Sequence, residues 1–290
     1  MTICLVADKL VLKNRCHASI WCVESTMEKD AIAIKDELES YEGYIAYFDI
    51  LGYQSFLDAH NTPEQATKDV LRAILNVEKD VPQQLAEFLD RPVPNEVKKM
   101  QWHIFSDTIM ITAPFEDESS EEDRFRNLIV LLAVSSQLMR YMFDFGLPLR
   151  GAITQGSYVL AKTCFAGLPI INAYRICSTL DASVCVVEEG IIHQVQDSKI
   201  DETNSLVEEN HITRYLVPLN NGKEKLYSVL IPSIRQHSSR PTWGNIDVKQ
   251  LVAESFMKHG KLIGTAAISK LTNTELFLRF VKMKLGKSFQ

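Results

Sequence analysis

The stretch YIAYFDILGY at residues 44–53 decides how this chain is read. Aromatic and β-branched residues fill it up to Gly52, the signature of a buried strand, and a helix is predicted from Tyr53 onward. Asp49 stands inside that apolar run. A second carboxylate has the same kind of setting in WHIFSDTIMITA at 102–113, where Ser106-Asp107 offers a tight turn between two short predicted strands. An unpaired buried carboxylate is costly, so each aspartate is either hydrogen-bonded locally or charged and compensated. On neighbouring strands the two would repel unless a cation lay between them. Hard divalent ions such as Mg²⁺ and Mn²⁺ are held by one or two carboxylates, with water and substrate phosphate completing the shell.

Outward from this pair, the pattern alternates between strands and helices. Residues 61–65, NTPEQ, combine an N-cap candidate, a proline at the first helical position and a capping-box glutamine, predicting a helix towards Asp80. Prolines 82, 92 and 94 are expected to break the segment after Asp80. The acidic run EDESSEED at 116–123 reads as a solvated loop and helix start. Leu128, Leu131, Leu132, Leu138 and Met142 then recur at helical spacing until Gly146-Leu147-Pro148 stops the helix. LRGAITQGSYVLA at 149–161 reads as a strand, a turn at Gly156 and a second strand, and residues 165–180 lead through Gly167 and Pro169 into a helix. A strand at 184–187 and a hairpin at 215–229 around Asn220-Asn221-Gly222 complete an α+β pattern.

Composition narrows the classes further. The chain has 290 residues, with 31 Lys and Arg against 37 Asp and Glu, a formal charge of −6. An acidic chain of ordinary apolar content is neither disordered nor a general polyanion binder, so nucleic acid is not an expected partner. The longest uninterrupted apolar run, 128–134, is far short of the roughly 18 residues a membrane span needs. Asp8 and Lys9 interrupt the early apolar stretch, so no signal peptide is read and the expected location is cytoplasmic. Six cysteines without C-x-x-C spacing are expected to be reduced. His17, His193 and His211 are scattered, Ser157 lacks the G-x-S-x-G elbow, and no phosphate-binding P-loop is present. Lys223, in the last hairpin turn, suits a solvated position or a triphosphate contact.

The chain divides into three segments: an N-terminal extension at 1–40, a main domain at 41–235 and a basic C-terminal extension at 236–290. The last carries nine Lys and Arg against three acids, a net charge of 9 − 3 = +6. Its two predicted helices, 247–259 and 273–284, are expected to pack on the domain or on a second subunit.

Residues 42–232 resemble the catalytic domain of class III nucleotidyl cyclases. The family's metal-binding strand and turn is similar to Phe48-Asp49-Ile50-Leu51-Gly52-Tyr53, and its Gly-Asp hairpin tip to Ser106-Asp107. Its Arg-x-Gly-Ile strand resembles Arg150, Gly151, Ala152 and Ile153 with Gly156. Its glycine followed eight residues later by arginine matches Gly167 and Arg175. The resemblance implies a ferredoxin-like α+β fold that forms a head-to-tail homodimer with active sites at the interface. It implies two Mn²⁺ or Mg²⁺ ions held by Asp49, Asp107 and the backbone carbonyl of Ile50, for in-line phosphoryl transfer from a ribonucleoside triphosphate. Arg175 then stabilises charge on the α-phosphate, and the backbone at Gly52 approaches the phosphates.

The departures bear on the base. The family's asparagine falls on Ile171, with Asn172 one residue later, and the two purine-reading positions fall on His103 and Cys164, matching neither the adenine nor the guanine pair. With its FDILG, SDT and LRGAI wording, the chain resembles the pyrimidine cyclases of bacterial Pycsar antiphage systems. These imply UTP or CTP as substrate and a cyclic product that activates a separate effector protein. Tyr44 and Tyr53, flanking the metal strand, are candidates for ribose, phosphate or base contacts, with core packing as the alternative role. A purine cyclase with an unusual pocket and a silent nucleotide-binding domain remain open alternatives.

Overall fold

The computed structural model describes residues 38–60, 62–89, 95–161, 164–197, 211–232, 246–261 and 264–287. The expected N-terminal extension therefore lies outside the described residues except for its last three, and with it His17, Cys4, Cys16 and Cys22.

Strand β1 (Glu39–Ile50) pairs antiparallel with β3 (Thr108–Pro114) on one side and with β4 (Leu149–Ala161) on the other. β2 (Gln101–Phe105) forms a hairpin with β3 around Ser106-Asp107. The chain order β-α-β-β-α-β with spatial order β2-β3-β1-β4 is the ferredoxin-like arrangement. Beyond β4 the same sheet adds β6 (Cys185–Val187), β8 (Glu224–Leu230) and β7 (Ile212–Pro218), while β5 (Cys164–Gly167) folds back on β4. The helices are α1 (Tyr53–Asp58), α2 (Pro63–Leu89), α3 (Asn95–Lys99), α4 (Glu121–Phe145), α5 (Leu168–Thr179), α6 (Glu189–Asp197), α7 (Val248–Met257) and α8 (Thr265–Lys287).

Strand alternation splits the sheet into two unlike faces. Tyr44, Ala46, Phe48 and Ile50 of β1 join Ile109 and Ile111 of β3 under the buried sides of α2 and α4, the larger core. Gly151 lets the Phe48 ring lie flat against β4: a Cβ there would sit 2.5 Å from the ring and 2.8 Å from the Tyr47 carbonyl oxygen. On the opposite face, Ile45 and Met110 meet Ile170 of α5, and Ala152, Val186 and Val229 meet α5, α7 and α8. Phe277 and Val281 of α8 are fully buried there, so the basic C-terminal helices share a core with the sheet.

Helix α4 begins with a capping box between Ser120 and Asp123, so part of the acidic run caps the helix start, and it ends at Gly146 in the left-handed conformation. By length and composition it could cross a membrane, but 61% of its most apolar window is buried in this core. Its last carbonyls are capped by the C-terminal segment. Ser255 Oγ donates to Phe143 O at 2.7 Å, Lys258 Nζ to Asp144 O at 2.7 Å, His259 Nε2 to Phe145 O at 2.6 Å, and Lys261 Nζ to Gly146 O. Cations suit this end of the helix dipole.

Two local expectations are corrected. α2 continues through Pro82 to Leu89; Val70, Ile74, Val77 and Val81 anchor it to the core up to that point, and the one backbone bond lost at the proline does not end it. Gly156 is no turn: it lies within continuous β4, paired with Gly43 of β1. The helix expected through Gly167 and Pro169 starts at Leu168, and the short strand β5 precedes it.

Burial lowers the His259 pKa, aided by Lys258, Lys261 and His60 and opposed by the bond to Phe145, and it lowers Lys261 to about 8. An unfolded chain then binds more protons than the folded one just below the usual histidine range, and again between about 8 and the ordinary lysine value of 10.5. Stability should fall as pH drops from about 7 to 5 and rise from about 8 to 10. Thermal melts of His259→Gln and Lys261→Met should flatten the first and second of these slopes respectively.

Candidate active site

Asp49 points away from α2 and α4, directly opposite Arg150 on β4 and Thr108 on β3. Cross-strand partners on one face lie within side-chain reach, so the register itself delivers a guanidinium to the carboxylate. Arg150 Nε donates to Asp49 Oδ2 at 2.7 Å, while Nη1 donates to the carbonyls of Ser178 at 3.2 Å and Leu180 at 3.1 Å, at the end of α5. Asp107 follows in the β2–β3 turn, where its backbone carbonyl accepts from Ile50 N–H at 2.9 Å. Ser106 has φ 56°, a left-handed conformation that glycine adopts without strain. Both aspartates thus belong to one end of the sheet.

The electrostatics of Asp49 are unusual for a paired carboxylate. Burial raises its pKa, Arg150 opposes this through charge and hydrogen bond, Asp107 pushes it up and Lys270 of α8 pulls it down; the net direction is upward. Even with an arginine bound, burial outweighs the guanidinium and favours the protonated carboxyl. A divalent cation between Asp49 and Asp107 would offset both burial and mutual repulsion, and two carboxylates with the Ile50 carbonyl are the hard oxygen donors such an ion takes. These residues fit Mg²⁺ or Mn²⁺. Among the described residues no cluster of three His, Cys, Asp or Glu side chains forms, so water and substrate must supply the rest of the shell.

The other candidates divide. His103 of β2 lies on the Asp49 face, its ring 5.5 Å from that of Phe165, the neighbour of exposed Cys164. Cys164, the residue before Phe165 on β5, is exposed, and strand alternation turns its side chain to the opposite side from Phe165. His103 Nε2 is buried with no hydrogen-bond partner among the described residues, and burial lowers the ring's pKa. Gly52 is exposed, left-handed, and starts α1; Tyr53 packs partly against the core. Tyr44 does not belong to the site: two-residue alternation puts it on the opposite face, where its ring meets Phe115 edge-on at 4.9 Å. Arg175 lies exposed on α5, and its side chain makes no hydrogen bond or ion pair with a described residue. The guanidinium that reaches Asp49 is that of Arg150, which the sequence marks only as part of a motif; the strand pairing exposes its role.

Around α5 the same face carries apolar side chains in solvent: Phe105 (76% exposed), Leu168, Ile171 and Tyr174, whose ring lies edge-on to Tyr47 at 6.0 Å. Such a patch marks an interaction surface.

No family model matches the chain, and no curated protein does. Among solved structures, it is similar to the catalytic core of a rhodopsin-guanylyl cyclase with converted specificity, in complex with ATPαS. That core is 12% identical, with 68% of this chain and 98% of that chain covered and a TM-score of 0.40. At so low a score the functional reading rests on the site itself.

Replacing Arg150 by Met should drive the Asp49 pKa further up, read by carboxyl carbon NMR, and cost about 1–3 kcal/mol, below the usual figure for a fully buried pair because both groups touch solvent. Adding Asp49→Asn should recover most of that loss in a double-mutant cycle.

Proposed function

We propose that this chain is a nucleotidyl cyclase that converts a pyrimidine ribonucleoside triphosphate, UTP or CTP, into its 3′,5′-cyclic monophosphate and pyrophosphate. The observation that carries the reading is the convergence of three separate stretches, 48–53, 106–107 and 150–151, at one end of the sheet, where the half-buried Asp49 carboxylate meets Arg150 and feels the charge of Asp107. Bound there, a divalent cation supplies Lewis-acid activation of the ribose 3′-hydroxyl and neutralises triphosphate charge. Asp49 and Asp107 would hold the cation with the Ile50 carbonyl. Arg150 fixes the Asp49 carboxylate and favours its ionised form. The 3′-oxygen forms a bond to the α-phosphorus, the bond from that phosphorus to the α–β bridging oxygen breaks, the hydroxyl proton is lost, and pyrophosphate leaves.

Arg175 reaches no aspartate among the described residues of its own chain, which favours a homodimer in which it meets the α-phosphate at the partner's site. The exposed apolar residues of α5 and β2, on the face that holds Asp49, support the same arrangement. His103 and Cys164 stand at the two positions that the resemblance assigns to base reading, and their failure to match the adenine or the guanine pair is what favours a pyrimidine. A role in antiphage signalling through a separate effector follows only from the pyrimidine reading.

Incubating the full chain with each α-labelled ribonucleoside triphosphate and Mn²⁺ tests this. A cyclic product from UTP or CTP is expected; one from ATP or GTP would replace the pyrimidine reading, and none with any nucleotide would overturn cyclase activity. Asp107→Ala should lose activity by roughly 100-fold or more while remaining folded. Mixing Asp107→Ala with Arg175→Ala protein should restore turnover, because one site of the mixed dimer is then intact; no restoration would contradict a shared site.

A further inference from the structure

Asp181 follows directly on α5, and helix α8 of the C-terminal segment takes hold of it. Lys270 Nζ lies 3.3 Å from Asp181 Oδ1, and Ser269 Oγ donates to the same oxygen at 3.2 Å. Asn273 Nδ2 donates to Asp181 Oδ2 at 3.0 Å and to its backbone carbonyl at 2.9 Å. The next residue, Thr274, accepts through Oγ1 from Ser183 N–H at 2.8 Å, a buried contact. The residue before Asp181 is Leu180, whose carbonyl, with that of Ser178, holds the Arg150 guanidinium. A continuous chain of polar contacts thus runs from α8 through Asp181 and the 178–183 segment to Arg150 and ends on Asp49.

We infer that Lys270 and Asn273 are positioning residues for Asp49, acting through Asp181 and Arg150, and that α8 is thereby a working part of the candidate site. A guanidinium bridging one carboxylate and two carbonyls keeps all three bonds only while its acceptors hold still. The tip of the β7–β8 hairpin fixes one side of this segment, through Asp181 N–H to Pro218 O at 3.0 Å and Asn220 Nδ2 to Ser178 O at 3.0 Å. The other side depends on α8. The side chains concerned are mostly shielded, Asp181 at 13% and Lys270 at 24% exposure, so the contacts are weakly screened. The positive charge of Lys270 also acts directly on Asp49.

The positioning concerns Arg150 and Asp49 in the protein alone; only its catalytic consequence rests on the cyclase reading. The test tracks the Arg150 Nε–H resonance in the full chain, assigned by its loss in Arg150→Lys. Lys270→Met and Asn273→Ala should each speed its exchange with solvent by about tenfold, as the loss of one hydrogen-bonded contact does by making local opening easier. Lys270→Arg should restore slow exchange. Arg279→Ala, which breaks the solvent-facing pair with Glu275 on the same helix, should leave it unchanged. If Lys270→Met does not fold, the Asn273→Ala and Lys270→Arg proteins decide. Unchanged exchange in Asn273→Ala, or equal acceleration in Arg279→Ala, would overturn the inference. In turnover, Lys270→Met should lower kcat by about tenfold with KM within about twofold, and Lys270→Arg should recover it; a change in KM alone would also overturn it. Absence of turnover in the unaltered protein would refute the cyclase reading and leave the exchange experiment to decide positioning by itself.

Discussion

The partly shielded ion pair of Asp49 with Arg150 is the contact on which much of the surrounding structure bears. Arg150 stands opposite it by register, two carbonyls at the end of α5 fix the arginine, and α8 with the β7–β8 hairpin fixes the segment carrying those carbonyls. Asp107 adds a second negative charge at the same strand ends instead of relieving the first. A structural ion pair would gain nothing from such crowding. A site that takes up a cation with its substrate does, because the strain of two near carboxylates is released when the ion binds.

The two faces of the sheet divide the work. The α2 and α4 face is a conventional apolar core in which Phe48 and Gly151 interlock. The other face carries Asp49, Arg150 and His103, and α5 and α8 cover only part of it, leaving apolar side chains of β2 and α5 in solvent. Strand alternation therefore places the polar site and the exposed patch on the same surface, where a second copy would cover both at once.

Much of this was legible in the sequence. YFDILGY marked the central strand and its turn, Ser106-Asp107 marked the hairpin tip, and Gly146 marked the end of α4, because each depends on local chemistry. What was missed depends on distance along the chain. The Asp49–Arg150 contact spans 101 residues and emerges only from knowing which strands pair. Lys270 and Asn273 lie about 90 residues from Asp181, on a helix expected to pack on the domain or a second subunit but with nothing in its sequence to name its partners. Of the two roles open to Tyr44, strand alternation selects core packing, because proximity in sequence to Asp49 says nothing about which face a side chain takes.

The most direct measurement of the central claim is a crystal structure of the full chain grown with Mn²⁺ and a non-cyclisable UTP analogue, with anomalous data collected at the manganese edge. The account predicts manganese bonded to the carboxylates of both Asp49 and Asp107, with Arg150 still on Asp49 Oδ2. Asp49 closed on Arg150 alone, with manganese absent from this end of the sheet or held elsewhere, would contradict it.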